Sequence, residues 1–382
     1  MLFQAKLRPA VRTKRHGVLE KGVDFHRDYT TVHIARNLTE VLDSWQTSVA
    51  TPNYVDCSEF GTSSTPWRRC CESEELPKGC ECFDITFNDF KNTGLQRPQC
   101  PEDLGLTFWL YQELESTGTQ IKVGDLSTFD PSLQTRVLGH GFLESKESWG
   151  LKLKDALLNQ ERMNVIAVDY EDAVDNYEYL QAAANSRSVG AMIGRLLQDL
   201  HESAGSTPDK FHLIGHSLGS HVMGYAGVEF RRLTGANVGR ITGLDPAGLA
   251  FWQFKDTVYL DKADGDFVDI IHTNAAPVIQ GGFGFPKSAG SADFYVNGGE
   301  DQPECPPSPL NLLYVVDLAE FFCSHRRSVT LFINSVNDCQ FQIDDTLCAV
   351  GCLMGFDAGP VCEGDLQVTT TGQEPYCVNT LM

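Results

Sequence analysis

A serine flanked by two glycines follows an apolar run near the middle of the chain. The run covers residues 210–215, the pentapeptide GHSLG covers residues 215–219, and residues 218–233 suit a helix. Between a strand and a helix, such a serine occupies the position of a nucleophile elbow, where the tight turn leaves no room for side chains two residues away. The start of the helix would also direct its free N–H groups at the site. The pattern therefore predicts Ser217 as a nucleophile.

Three histidines follow Ser217 and could supply the base that a serine hydroxyl needs at neutral pH. In a fold built around this elbow, the acid and then the histidine follow the serine along the chain. His221 lies one helical turn past the serine, where we expect it to pack, and His272 ends an apolar strand, where we expect a structural role. His325 follows Cys323, a position that a disulfide would fix, and is the predicted base.

Two aspartates compete for the role of the acid. Asp245 directly follows the predicted strand at residues 240–244, where a loop carboxylate can reach an imidazole ring. Asp317 is the chief competitor, but it lies in an apolar helical pattern. We therefore predict a triad of Ser217, Asp245 and His325.

The elements around these residues alternate between strands and helices. Short apolar runs typical of buried parallel strands lie at residues 106–111, 135–139, 164–168, 210–215, 240–244 and 267–271. Apolar residues recur at helical spacing over 189–200, and residues 218–233 suit a second helix. This alternation predicts an α/β fold with a mainly parallel central sheet and helices on both faces.

The chain divides into three predicted parts. Residues 1–55 have no sustained period and are expected to be poorly ordered or a pro-segment, residues 56–100 form a cysteine-rich collar, and residues 101–382 form the α/β domain. The net charge of −21 disfavours nucleic acid as a partner, because an acidic surface repels phosphates. No apolar run reaches the roughly 18 residues that a membrane-spanning helix needs.

Thirteen cysteines fall into two groups, six between Cys57 and Cys100 and seven between Cys305 and Cys377. Such clusters indicate disulfides around an unstapled core and hence an oxidising, extracellular compartment. Zinc ligation is the alternative, but paired CxxC units with zinc-like spacing do not occur. The first residues lack the apolar stretch of a secretory signal, so the expectation of secretion depends on the cysteines. Asn37 begins an N-glycosylation sequon.

Several segments resemble the pancreatic lipase family over roughly residues 101–377, in the right order. They are the elbow, residues 140–142 (HGF), 243–247 (GLDPA), 267–273 (FVDIIHT), 293–299 (DFYVNGG) and 323–328 (CSHRRS). The resemblance implies an α/β-hydrolase fold with a disulfide-closed lid and a secreted enzyme that hydrolyses lipid esters. It also implies that Ser217 attacks the acyl carbonyl, that His325 acts as general base and then general acid, and that Asp245 holds the imidazolium. The N–H groups of Phe142 and Leu218 would bind the oxyanion.

The acidic loop at residues 256–264 resembles the calcium loop of the same family and aligns with it without gaps from Asp245. By resemblance, Asp261 and Asp264 would bind calcium through their side chains, and Asp256 and Tyr259 would bind it through backbone oxygens. Carboxylates and carbonyls suit a hard cation, although a solvated acidic loop is the alternative. Calcium would be structural, and no cofactor is expected for catalysis.

Cys305 and Cys323 stand where the family has its disulfide-closed lid, and the residues between them carry an apolar surface suited to a lipid–water interface. The lid is short, which in the family accompanies phospholipase A1 activity that releases the sn-1 acyl chain. The segment 274–292 is close to full length, which favours triacylglycerol. A non-catalytic lipid-binding protein resembling insect yolk proteins is a further alternative. The residues after His325 are too few for the family's β-sandwich domain, so colipase is not expected as a partner.

Overall fold

The computed structural model describes most of the chain from Asp103 onward. It covers residues 98–99, 103–114, 117–175, 178–254, 256–276, 281–306, 322–337, 339–344 and 351–378. Two short antiparallel strands, Arg68–Arg69 and Phe83–Asp84, are described through their backbone only. The predicted segment 1–55, most of the collar at 56–100, Asn37, Asp317 and the interior of the predicted lid lie outside the described residues.

A nine-stranded sheet forms the centre of the molecule, and a separate hairpin of two short strands lies near the C-terminus. In chain order the strands are β1 (Thr107–Tyr111), β2 (Thr119–Ile121), β3 (Thr135–Gly139), β4 (Asn164–Asp169), β5 (Phe211–His216), β6 (Val238–Leu244), β7 (Gly265–His272), β8 (Ala292–Val296), the hairpin strands β9 (Phe341–Gln342) and β10 (Leu353–Met354), and β11 (Gly364–Val368). The sheet order is β11-β8-β7-β6-β5-β3-β4-β1-β2. Every neighbouring pair is parallel except β4–β1 and β1–β2, which form an antiparallel edge.

Helices cover both faces of the sheet. They are α1 (Gly150–Gln160), α2 (Glu171–Val174), α3 (Tyr179–Glu202), α4 (Leu218–Thr234) and α5 (Cys323–Asn337). Helices α3 and α4 pack together on one face, and α1 and α5 pack together on the other. Alternate residues of the central strands feed two cores, so Leu213 of β5 faces α3 and α4 whereas Ile214 faces α1 and α5. The predicted α/β-hydrolase fold with a mainly parallel sheet is confirmed.

Helix α3 begins earlier than the apolar spacing predicts. Its first turns bury three consecutive alanines, Ala182, Ala183 and Ala184. A run of small residues gives no alternation of large apolar and polar side chains, so the period becomes visible only from Val189 onward.

The carboxyl ends of four neighbouring strands meet at one edge of the sheet. Gly139 of β3 pairs with Gly215 of β5, Gly215 pairs with Gly243 of β6, and Gly243 pairs with Ile270 of β7. The segments that leave these strands are therefore neighbours, although they are far apart in sequence. Within the described residues, no helix is long and apolar enough to span a bilayer.

Three disulfides join cysteines of the second cluster. They are Cys305–Cys323, Cys339–Cys377 and Cys352–Cys362. In the first disulfide, Cys305 lies before helix α5 and Cys323 is the first residue of α5. The other two disulfides hold the C-terminal segment against the core that contains α1 and α5. The expectation that this cluster forms disulfides is confirmed for these six residues, while Cys348 and the cysteines at 57–100 lie outside the described residues.

Candidate active site

Ser217 lies on a strained turn between β5 and α4. Its backbone has a φ of 54° and a ψ of −121°, which non-glycine residues rarely adopt. The flanking glycines are required by contact as well as by the turn. A Cβ atom at Gly215 would lie 2.2 Å from the carbonyl oxygen of Gly219, and one at Gly219 would lie 2.4 Å from the carbonyl oxygen of Gly139. The predicted elbow geometry is therefore present.

The structure brings the three predicted triad residues into one hydrogen-bonded row. The Ser217 hydroxyl lies 2.8 Å from Nε2 of His325, and Nδ1 of His325 lies 2.6 Å from Oδ2 of Asp245. In the part of the chain that the structure describes, all three side chains are buried. With Nδ1–H donating to the carboxylate, Nε2 is left free to accept the serine proton.

Two backbone N–H groups hold the Asp245 carboxylate from the other side. Oδ1 accepts hydrogen bonds from the N–H of Thr273 at 2.8 Å and from the N–H of Asn274 at 3.0 Å, both just past the end of β7. Gly284 lies so close that a Cβ atom there would be 2.6 Å from Oδ1. The two hydrogen bonds stabilise the buried charge of the carboxylate, which would cost folding free energy if it had no donors.

The environment of His325 favours the neutral imidazole. Burial lowers the pKa of His325 below its ordinary value of 6.5, while the hydrogen bond and the charge of Asp245 raise it and the charge of His216 lowers it. The balance is downward, so the ring is neutral at neutral pH and able to take a proton.

The two residues predicted to form an oxyanion hole lie at the start of α4 and in the turn after β3. Leu218 is the first residue of α4, where a backbone N–H has no acceptor within the helix. Gly141 touches the elbow, because a Cβ atom there would lie 3.0 Å from Cβ of Ser217. Phe142 follows it and packs edge-on against Tyr179 with ring centroids 5.2 Å apart.

The two other candidate histidines have packing partners, as the sequence indicated. His221 donates from Nε2 to the Ala247 carbonyl at 2.8 Å and accepts the Leu260 N–H at Nδ1, and burial lowers its pKa to about 4. His272 is fully buried between Asp293, at 2.8 Å from Nε2, and the carbonyl of Phe285.

The acidic loop brings together two of the four residues that the resemblance assigned to calcium. Oδ2 of Asp264 accepts the Asp261 N–H at 2.9 Å. Burial raises the pKa of Asp264 to about 8, with the Asp261 N–H lowering it and the Asp261 charge raising it. Asp256 starts a short 3₁₀ turn in the same loop, and Tyr259 packs against Phe285. Within the part of the chain that the structure describes, no three His, Cys, Asp or Glu side chains form a metal cluster.

A family model described as "Lipase" matches residues 77–350 of this chain. The chain belongs to the lipase family. The match begins before residue 101, within the part of the sequence predicted as a cysteine-rich collar.

The chain is similar to several curated proteins named as pancreatic lipases or lipase-related proteins. It is 39% identical over 255 residues to "Pancreatic lipase-related protein 2" of Mus musculus, covering 63% of this chain and 52% of that protein. It is 37% identical over 254 residues to "Pancreatic triacylglycerol lipase" of Myocastor coypus, covering 63% and 54%. It is also 38% identical over 255 residues to "Inactive pancreatic lipase-related protein 1" of Homo sapiens, covering 63% and 53%.

The chain spans about half the length of the curated relatives it matches. Among solved structures, the metagenomic carboxylesterase EstE1 covers 30% of this chain and 38% of its own, at 18% identity and a TM-score of 0.24.

Sequence reasoning missed two residues that support the site in this lipase-family chain. Tyr170 donates its hydroxyl to the His140 carbonyl and its N–H to Nε2 of His140, and the two rings stack 3.9 Å apart. Glu144 accepts the N–H of Gly141 at 2.8 Å. Tyr170 directly follows β4, so its position at the carboxyl edge of the sheet was a usable signal, whereas Glu144 lies in a turn with no periodic pattern.

We expect Gly219→Ala to destabilise the protein by about 1–3 kcal/mol or more, because the added methyl group meets backbone atoms that cannot move aside. Alanine is intrinsically better than glycine in a helix by up to about 1 kcal/mol, so a net loss would show that the contact outweighs helix propensity. Denaturant unfolding would measure the change. Gly359→Ala is the control, since a Cβ atom there has no heavy atom within 4 Å. Equal unfolding free energies for the two variants would contradict the steric account of the elbow.

Proposed function

We propose that this chain is a secreted serine carboxylic ester hydrolase that cleaves lipid esters, of the triacylglycerol lipase type. The observation that carries the proposal is the row from Ser217 Oγ through His325 to Asp245, with distances of 2.8 and 2.6 Å, on a strained elbow. Sequence identity to the relatives is insufficient to support catalytic activity, because one relative at 38% identity is named inactive. The row supplies what acyl transfer requires, a serine with a base in contact and a carboxylate that orients the base.

In the first half of the proposed reaction, Ser217 Oγ attacks the ester carbonyl while Nε2 of His325 takes its proton. Asp245 stabilises the imidazolium that forms and keeps its Nδ1–H directed away from the serine. The negative oxygen of the tetrahedral intermediate is bound by the backbone N–H groups of Phe142 and Leu218. A single donor of this kind contributes about 2.7–4 kcal/mol to lowering the barrier.

In the second half, His325 returns the proton to the leaving alcohol and an acyl-enzyme on Ser217 remains. Water then attacks the acyl carbonyl while His325 takes a proton from it. His325 gives that proton to Ser217 Oγ as the bond between the acyl group and Oγ breaks, and the free fatty acid leaves. The burial of the row supports these steps, since electrostatic interactions are stronger where water is excluded.

A lipid–water interface is the proposed site of action. The disulfide Cys305–Cys323 closes the loop whose apolar residues would dock on lipid, and Phe322 at its base lies 4.9 Å, ring to ring, from Phe283, which in turn lies 5.8 Å from His325. The coypu relative is named a triacylglycerol lipase, which supports neutral lipid as the substrate. Phospholipase A1 activity is the second candidate, favoured by the shortness of the loop between the two cysteines.

We further propose that calcium binds the acidic loop as a structural ion. Asp261 and Asp264 stand in one turn. Burial and the charge of Asp261 raise the pKa of the Asp264 carboxyl, and a bound divalent cation would offset both effects. Carboxylates with backbone carbonyls from Asp256 and Tyr259 form an all-oxygen donor set, which suits calcium. When bound, the ion would supply charge neutralisation within the loop, and no step of the ester hydrolysis depends on it.

We expect Ser217→Ala to abolish hydrolysis of both triolein and phosphatidylcholine while leaving the fold intact. The wild-type ratio of the two rates assigns the chain to the triacylglycerol or the phospholipid type. A serine-directed phosphonate should label Ser217 in the wild type, and Ser203→Ala, an exposed serine at the end of α3, should retain full activity. Failure of the phosphonate to label the wild type would favour the non-catalytic, lipid-binding alternative.

The acid limb of the pH profile should have its midpoint below 6.5. Only neutral His325 can accept the serine proton, so kcat/KM falls as the pH drops through the pKa of His325 in the free enzyme. Because burial holds that pKa below 6.5, activity persists to lower pH than an exposed histidine would allow. A soluble short-chain ester is the right substrate, since it needs no interface. A midpoint above 6.5 would contradict the burial argument.

Chelation by EDTA should lower the melting temperature of the wild type, because a ligand that binds only the native state stabilises it by mass action. Asp261→Asn should have a lower melting temperature that no longer responds to EDTA or to added calcium. Asp357→Asn, which changes an exposed carboxylate outside the loop, should respond as the wild type does. An unchanged wild-type melting curve in EDTA would show the calcium proposal to be wrong.

A further inference from the structure

Glu144 is a largely buried carboxylate beside the proposed triad, in contact with the residue that precedes Ser217. It lies in the turn after β3, and its side chain is 12% exposed. Its Oε2 accepts three hydrogen bonds, from the Gly141 N–H at 2.8 Å, from Nδ1–H of His216 at 2.9 Å and from the indole N–H of Trp149 at 3.1 Å. Its Oε1 lies 3.7 Å from Nε of Arg326.

Three of these four partners are the immediate neighbours of residues in the proposed machinery. Gly141 precedes Phe142, His216 precedes Ser217, and Arg326 follows His325. These three partners come from the turn after β3, the end of β5 and the start of α5, which are far apart in sequence. One carboxylate therefore contacts all three segments that must keep their relative positions during acyl transfer.

The charge of Glu144 is matched to these donors. Burial by itself raises the pKa of Glu144, but the charge and hydrogen bond of His216, followed by Arg326 and the Gly141 N–H, lower it well below its usual range. The four polar contacts of the two carboxylate oxygens described above are all with donor groups. A glutamine in either orientation would turn its NH₂ group toward a donor, so only an ionised carboxylate fits.

His216 extends the connection to the proposed base. Its ring centroid lies 4.8 Å from that of His325, and its Nε2 lies 3.4 Å from the His325 carbonyl oxygen. A displacement of His216 would therefore reach both Ser217, its neighbour in the chain, and His325, its neighbour in space.

We propose that Glu144 is a positioning residue for ester hydrolysis. It keeps the turn after β3 that contains Phe142, the elbow at Ser217 and the start of α5 in their relative positions without touching substrate. This inference rests on the proposed function. Effects of position on rate are large, since a misplacement of about 1 Å can reduce turnover about 100-fold. Because Glu144 does not touch substrate, substrate binding should be affected little.

Glu144→Gln tests the inference with a soluble short-chain ester. Active sites are titrated with a phosphonate first, so that a misfolded fraction does not enter the rate. We expect kcat per titrated site to fall about 10- to 100-fold while KM stays within about twofold. Glu147→Gln is the matched control, because Glu147 is three residues away in the same turn region, with a side chain 71% exposed, and its kinetics should equal those of the wild type.

The outcomes separate positioning from a purely structural role. A structural role would reduce the number of titratable sites and leave kcat per site unchanged, and that result would overturn the inference. If Glu144→Gln does not fold, Trp149→Phe removes one of the donors to Oε2 and keeps an aromatic ring. It should then lower kcat per site about 3- to 10-fold, and an unchanged kcat would overturn the inference.

The wild-type measurements distinguish this inference from the proposed function. A wild type that neither hydrolyses esters nor takes the phosphonate would overturn both. A wild type that does both, alongside a Glu144→Gln variant with wild-type kcat per site, would overturn only the role of Glu144.

Discussion

The active site depends on the close backbone contact between α4 and the edge of the sheet, where glycines leave no side chains in between. A Cβ atom at Gly219 would meet the carbonyl oxygen of Gly139, and one at Gly215 would meet Gly219 itself. Because the backbones touch, α4 cannot shift relative to β3 and β5 without opening a void or a clash. The position of the Ser217 hydroxyl, the direction of the first N–H groups of α4 and the location of the turn after β3 all follow from this contact.

Two histidine–aspartate pairs among the described residues are buried near the same sheet edge and have different surroundings. Asp245 and His325 reach a serine hydroxyl, whereas Asp293 and His272 end at a backbone carbonyl. In both pairs, backbone N–H groups share the carboxylate, which stabilises a charge in a dry interior. The pair itself therefore does not mark a reactive centre, and the contact with Ser217 is what distinguishes one pair from the other.

Family membership and site geometry bear on different questions. The lipase model and the pancreatic relatives place the chain in its family, while the chain spans only about half of those relatives. A human relative of similar identity, 38%, is named inactive, so similarity does not separate active members from inactive ones. The hydrogen-bonded row and the burial that lowers the pKa of His325 are features of this chain, and they support the proposed activity.

The sequence by itself determined the features that depend on contiguous residues. Ser217 was predictable because strand, turn and helix follow one another, and Asp245 because it directly follows a strand whose carboxyl end meets its neighbours. Only the tertiary structure showed that His325 approaches Asp245 across 80 residues and that Glu144 contacts His216 across 72. Such contacts leave no periodic trace in a sequence, because they are set by which strand ends lie side by side and by how closely the helices pack against them.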